Sequence, residues 1–286
     1  YVWIEVPMTE EVYPTAGLNI TNFTDEEYTK IENDLHTYTN DYRNGTSYKD
    51  EYYSDETTGL TSDQYANLKK TMLKSVYQNG GFYIGKYETG IENAPKTSGS
   101  SSTAPTETPV IKQNAYPYNY VTCSQAQTLA NNMESGNHTS SLMFGVQWDL
   151  VLKYLETKGT SQADLKTNST NWGNYRNNAW NITNENLKYA PNGSVWTSAT
   201  EKTKDSSTRI LLSTGASDDF NKQGIYDLAG NVYEWTLEHA TSSSSDPCAE
   251  RGGYYDSGVG SSNAADRYSI STTIYNDTIG FRVALY

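Results

Sequence analysis

Sulfur and imidazole are scarce in this chain: 286 residues include two cysteines, Cys123 and Cys248, and three histidines, His36, His138 and His239. Neither cysteine stands in a CxxC or other metal spacing, and the histidines are widely separated, so no zinc-type ligand set is legible. The pair reads as two isolated thiols, with one long-range disulfide as the alternative. Cations are also few. Lys and Arg number 21 against 34 Asp and Glu, a net charge of -13 without a basic cluster, so a phosphate backbone would be repelled and nucleic acid is not an expected partner. No apolar run reaches the roughly 18 residues of a membrane span. No GxSxG elbow is present, and no secretory leader opens the chain. The opening "YVWIEVP" already reads as a strand, so the chain is expected to begin inside a longer precursor.

What the chain has is tyrosine. Aromatic residues make up 13% of it, 25 of them Tyr, while hydrophobic residues reach only 35% and mean hydropathy is -0.74. Loops and surface must be extensive, with Tyr rings bridging interior and solvent. The length suffices for one large domain or two small ones. Abundant Asn, Ser, Thr and Tyr beside few Lys is the composition of secreted bacterial surface proteins, which makes the cell surface or extracellular space the expected location.

Val2, Ile4 and Val6 share one face of the first strand. "TDEEYTKIENDLHTY" opens with Thr and acids suited to a helix N-terminus, and "TSDQYANLKKTMLKSVYQNGG" places Tyr65, Leu68, Met72 and Val76 at helical spacing before a Gly-Gly stop. "GFYIGKYETG" alternates as a strand. "ENAPKTSGSSSTAPTETP" reads as a surface excursion or a linker. Two further helices are expected in "VTCSQAQTLANNM" and "GVQWDLVLKYLETKG". Trp172, Trp180 and Trp196 lie in an Asn-, Ser- and Thr-rich stretch, where isolated tryptophans pin long loops to a core. Strands and helices without βαβ alternation predict an α+β fold.

"GIYDLAGNVYEWTLE" brings Asp227, Asn231 and Glu234 to one turn, which reads as a nest for a hard cation or as a self-satisfied turn. The passage resembles the signature of the formylglycine-generating enzyme, or sulfatase-modifying factor, family. "GGFYIGKYETG", "GVQWDLVLKYL", "RGG" and "GFRVAL" resemble further landmarks in the same order, from Phe82 to Tyr286. The resemblance implies a C-type lectin-like fold: a mixed sheet, two main helices and long irregular loops. Residues 1-286 are then expected to form one such domain, with 1-80 a strand plus helical elaboration and 251-286 a C-terminal variable region. It also implies structural calcium, held by the side chains of Asp227 and Glu234 and the carbonyls of Gly230 and Val232.

The enzymes of that family carry two cysteines within a few residues after "RGG", where copper binds. Here the segment reads "RGGYYDSGVGSSNAADRYS" and has none, so copper and oxidase activity are not expected. The C-terminal palette of Tyr, Ser, Asp, Asn, Thr and Ile is that of a paratope. It is similar to the variable proteins of diversity-generating retroelements, in which adenines are randomised and asparagine codons become these residue types. The candidate varied positions are Tyr254, Tyr255, Asp256, Asp266, Tyr268, Ser269, Ile270, Ser271, Ile274, Tyr275, Asn276, Asp277 and Thr278, with Arg267 and Thr272-Thr273 as frame. The expected function is non-enzymatic recognition of a protein or glycan partner on a cell or phage surface. A formylglycine-generating-type oxidase with an altered site and a structural adhesin domain are the alternatives.

Overall fold

In the computed structural model, residues 1–43, 45–134, 136–198 and 202–286 are described. The first strand, β1 (Val2–Glu5), leads to two helices, α1 (Asp25–Tyr38) and α2 (Ser62–Asn79). Both start where a side chain satisfies an orphan N–H. Thr24 accepts from Glu27 N, and Thr61 exchanges hydrogen bonds with Gln64 in a capping box. Gly80, left-handed at φ 72°, stops α2. The chain turns into β2 (Gly81–Ile84), which pairs antiparallel with β1, Ile4 opposite Phe82. The N-terminal strand is therefore an edge strand of a four-stranded sheet.

The next elements are α3 (Cys123–Asn131), begun by a Thr122/Gln125 capping box, then β3 (Ser140–Leu142) and α4 (Gly145–Thr157). Helix α4 is buried along its whole first half, Trp148 included, which is more than the one stripe its spacing predicts. Its N-terminus is capped from a distance. The Asp50 carboxylate accepts the N–H groups of Gly145 at 2.6 Å and Val146 at 2.8 Å, placing a negative charge on the positive end of the helix.

The C-terminal half supplies β4 (Tyr233–Ala240), β5 (Cys248–Arg251), β6 (Arg267–Ile270), β7 (Ile279–Phe281) and β8 (Val283–Leu285). One sheet runs β1-β2-β8-β3. The other runs β6-β5-β4-β7, with the short strand Tyr48–Lys49 added at the far end of β4. β7 lies parallel to β4 and the other pairings in this sheet are antiparallel, so the sheet is mixed.

"GFRVALY" reads as one strand, but the structure divides it. Phe281 ends β7 in one sheet, Val283 begins β8 in the other, and the fully buried Arg282 marks the crossing. One apolar cluster includes Ile4, Leu35 and Val76 from the first eighty residues together with Trp148, Trp235 and Phe281. Segment 92–109 is a loop tied back to α3, through Gln125 Nε2 donating to Ser100 O and Thr103 O. Trp172 is buried, and its Nε1 donates to Asp164 O.

Candidate functional site

The two C-terminal loops start and finish at buried charges. Residues 252–266 join β5 to β6, whose flanking residues Arg251 and Arg267 are cross-strand partners. Both guanidiniums turn toward α4. Arg251 Nη2 donates to Asp149 Oδ1 at 2.8 Å, Arg267 Nη2 donates to both Asp149 oxygens at 3.0 Å, and Arg267 Nε donates to Glu238 Oε2 at 2.9 Å. Trp148 Nε1 holds the returning strand of the loop at Ala264 O, 3.0 Å. Gly252 and Gly253 have φ of 91° and 76°, and a Cβ on Gly252 would come within 2.9 Å of Leu228 O, which explains the two glycines of "RGG".

The second loop, 271–278, runs from β6 to β7 and is followed at once by Arg282. This guanidinium donates to both Glu234 oxygens, to Gly85 O at 2.9 Å and to Tyr226 O at 2.8 Å, and so fastens the two sheets together. Asn231, in the left-handed region at φ 62°, binds Glu88 Oε2 and Leu212 O through Nδ2 and accepts Leu212 N and Asn174 Nδ2 on Oδ1. Asn tolerates that φ and has a two-sided amide, which fits this turn.

Between these anchors the candidate residues lie at the surface. Tyr268 is 56% exposed and Tyr275 36%, while Tyr254, Asp256, Asp266, Ser269, Ile270, Ser271, Ile274, Asn276, Asp277 and Thr278 are half-buried. Tyr255 differs from the expected open placement. It is 4% exposed, packs with Ala190, Leu211 and Val232, and its hydroxyl donates to Asp277. Burial and the Asp277 carboxylate both push its phenol up. Thr273, read as frame, is exposed.

The candidates fall into three neighbouring groups. Tyr254 and Tyr268 flank Tyr233, with ring centroids 5.2 and 6.3 Å from it, and the Tyr233 hydroxyl donates to Asp266 at 2.7 Å. Asp256 binds Arg209 at 3.0 Å and Arg176 at 3.4 Å. The 271–278 loop is held by backbone: Tyr120 N donates to Asn276 O, and Asn119 Nδ2 to Asp277 O. Beside it, Gly99 leaves room for Tyr275, whose ring would lie 2.7 Å from an added Cβ. Sequence reasoning missed Tyr233 and Glu250. Tyr233 was detectable because it lies two residues before Trp235 on the same strand face. Glu250 carried no signal, since nothing in "CAER" separates a buried acid from an exposed one.

Residues 56–286 match the sulfatase-modifying factor enzyme 1-like domain. The chain belongs to this family. The match fixes the fold class as α+β, of the C-type lectin-like, formylglycine-generating type. No curated protein matches. Among solved structures, the chain is similar to "Crystal Structure of CarF" at 27% identity, covering 27% of this chain and 28% of that one with a TM-score of 0.24. It is also similar to Treponema denticola variable protein 1 at 21% identity, covering 53% and 49% with a TM-score of 0.29. The chain thus spans less than half the length of either.

The calcium set implied by the sulfatase-modifying family does not fit this geometry. Both oxygens of Glu234 are taken by Arg282, and Asp227 accepts the N–H of Gly215 at 2.5 Å. A guanidinium stands where the ion's charge would be needed. Burial pushes Asp227 up to about 7 and Glu88 well above the usual carboxylate range.

The family's copper chemistry needs accessible thiolates, and here both thiols are free and buried. The Cys248 thiol beside it, together with burial, pushes the Cys123 thiol well above its ordinary range. Neither falls in the loop after "RGG". No helix among the described residues is long and apolar enough to cross a membrane.

Proposed function

We propose that this chain is a non-enzymatic binding protein that presents diversified C-terminal side chains, as the variable proteins of diversity-generating retroelements do. The observation that carries the reading is the bracketing of residues 252–266 and 271–278 by Arg251, Arg267 and Arg282, each fixed to a buried carboxylate. A loop whose ends are anchored this way depends little on its exposed residues for stability, the buried Tyr255 apart. Substitutions there change what is gripped rather than whether the frame folds.

The partner is a protein or glycan met outside the cell, where the polar, Tyr-rich composition is at home. Tyr254, Tyr268 and Tyr275 offer large contact area at small entropic cost, and Ser271, Asn276 and Thr278 offer adaptable hydrogen bonds.

The test is a display library varied at Tyr254, Asp256, Tyr268, Ser271, Ile274 and Tyr275. Selection against unrelated protein and glycan targets is expected to yield different binders whose melting temperatures stay within a few degrees of the parent. Widespread unfolding of the library would overturn the reading. So would copper-dependent oxygen consumption with a cysteine peptide, which would return the chain to the oxidases.

A further inference from the structure

Among the described residues, Glu250 is the acid on the β4-β5-β6 sheet that holds no arginine and leaves a buried oxygen, Oε2, without a donor. Asp149, Glu238 and Glu234 each hold an arginine, whereas Glu250 is 2% exposed and its Oε2 has no hydrogen-bond partner among the described residues. Register fixes where it points. Glu250 lies opposite Trp235 on one side and Tyr268 on the other, so the three side chains share a face, the one away from the arginine network. Tyr233 stands on that face two residues from Trp235, its ring 5.2 Å from Tyr254 and 6.3 Å from Tyr268. Its hydroxyl binds Asp266, a second acid.

A buried carboxyl oxygen without a donor, on the same sheet face as the Tyr233 and Tyr268 rings, is costly in the free protein and complementary to an organic cation. We infer that Glu250, with Asp266 and the rings of Tyr233, Tyr254 and Tyr268, forms a subsite for a lysine or arginine side chain of a protein partner. The net charge of -13 favours approach of such a partner. Tyr268, next to Glu250 in register, is 56% exposed and has no hydrogen bond from its hydroxyl among the described residues, so it is the side chain that moves for entry. Burial and the nearby Asp266 push the Glu250 carboxyl up to about 8. A bound cation favours the ionised form, so binding releases a proton and strengthens as pH rises toward 8 and above.

The inference deepens the binding reading and rests on it, but the experiment separates the two. The whole chain is titrated with n-butylguanidinium, with n-butanol as neutral control, while NMR follows the Glu250 carboxyl carbon and the Tyr233, Tyr254 and Tyr268 rings. Saturable shifts at these groups are expected, with affinity at pH 9 about tenfold or more above that at pH 6 and a Glu250 pKa about one unit lower at saturation. Glu250→Gln, which keeps the shape and removes the charge, is expected to lose at least about tenfold in affinity while remaining folded, and Asp266→Asn to lose less. Equal binding by E250Q, equal shifts with n-butanol, or no saturable shift at either pH would overturn the subsite. The display library would still report on diversified binding, because it does not vary Glu250.

Discussion

Arg267 closes on both oxygens of Asp149 at 3.0 Å, although the two residues lie on β6 and α4, 118 residues apart in the chain. Arg251 joins the same carboxylate. Asp149→Asn is expected to leave two buried guanidiniums short of charge and to lower stability by about 3–5 kcal/mol, read from urea unfolding. A loss under about 1 kcal/mol would show that the loop anchors are not energetically coupled to the helix.

Asp50 caps α4. Burial alone would raise its carboxyl, but His36, the Val146 N–H and Arg43 overcome this and hold it down at about 2. A depressed carboxylate contributes stability that is complete above the ordinary value near 4 and is lost as pH falls from there through about 2. Asp50→Asn is expected to cost about 2 kcal/mol at pH 7 and to flatten the stability profile between pH 4 and 2. An unchanged acid limb would contradict this.

Tyr268 and Tyr275 are expected to tolerate replacement by Ala within about 0.5 kcal/mol, since their side chains are exposed. Tyr255→Ala is expected to cost about 3 kcal/mol and Tyr255→Phe about 1, because the ring is buried and its hydroxyl binds Asp277. Thermal melts of the four variants decide whether the face divides in this way.

Glu250 works against the fold at high pH. Its folded pKa of about 8 lies above the unfolded value, so the stability it permits is complete below about pH 4.5 and declines as pH rises toward 8. The melting temperature of Glu250→Gln is expected to match the wild type near pH 4 and to exceed it increasingly up to pH 8. Parallel curves would mean that the carboxyl is solvated.

Cys123 and Cys248 are adjacent and buried. Iodoacetamide is expected to label neither in the folded protein and both in concentrated urea. Rapid labelling of the native chain would show that one thiol is accessible, reopening the question of thiol chemistry.

Helices α1, α2 and α3 were legible in the sequence because each carries its own start signal, Thr24, Thr61 or Thr122, ahead of an apolar stripe. Helix α4 was legible as a helix, though its cap was not, because Asp50 reaches it from 95 residues away. Composition alone did not separate the inward Tyr255 from the exposed Tyr268 and Tyr275, because tyrosine serves core and surface alike in this chain.

The sequence by itself determined the elements with local signals, the ordered landmarks of the family and the absence of cysteine after "RGG". Only the tertiary structure decided that Arg282 divides the last strand between two sheets, that its guanidinium engages both Glu234 oxygens, that Tyr255 turns inward and that Glu250 Oε2 lies without a partner among the described residues. The physical reason is range. Periodicity and capping act over a few residues and leave a linear trace, whereas a buried charge is neutralised by whichever group the folded chain brings within about 3 Å, and sequence order does not encode that distance.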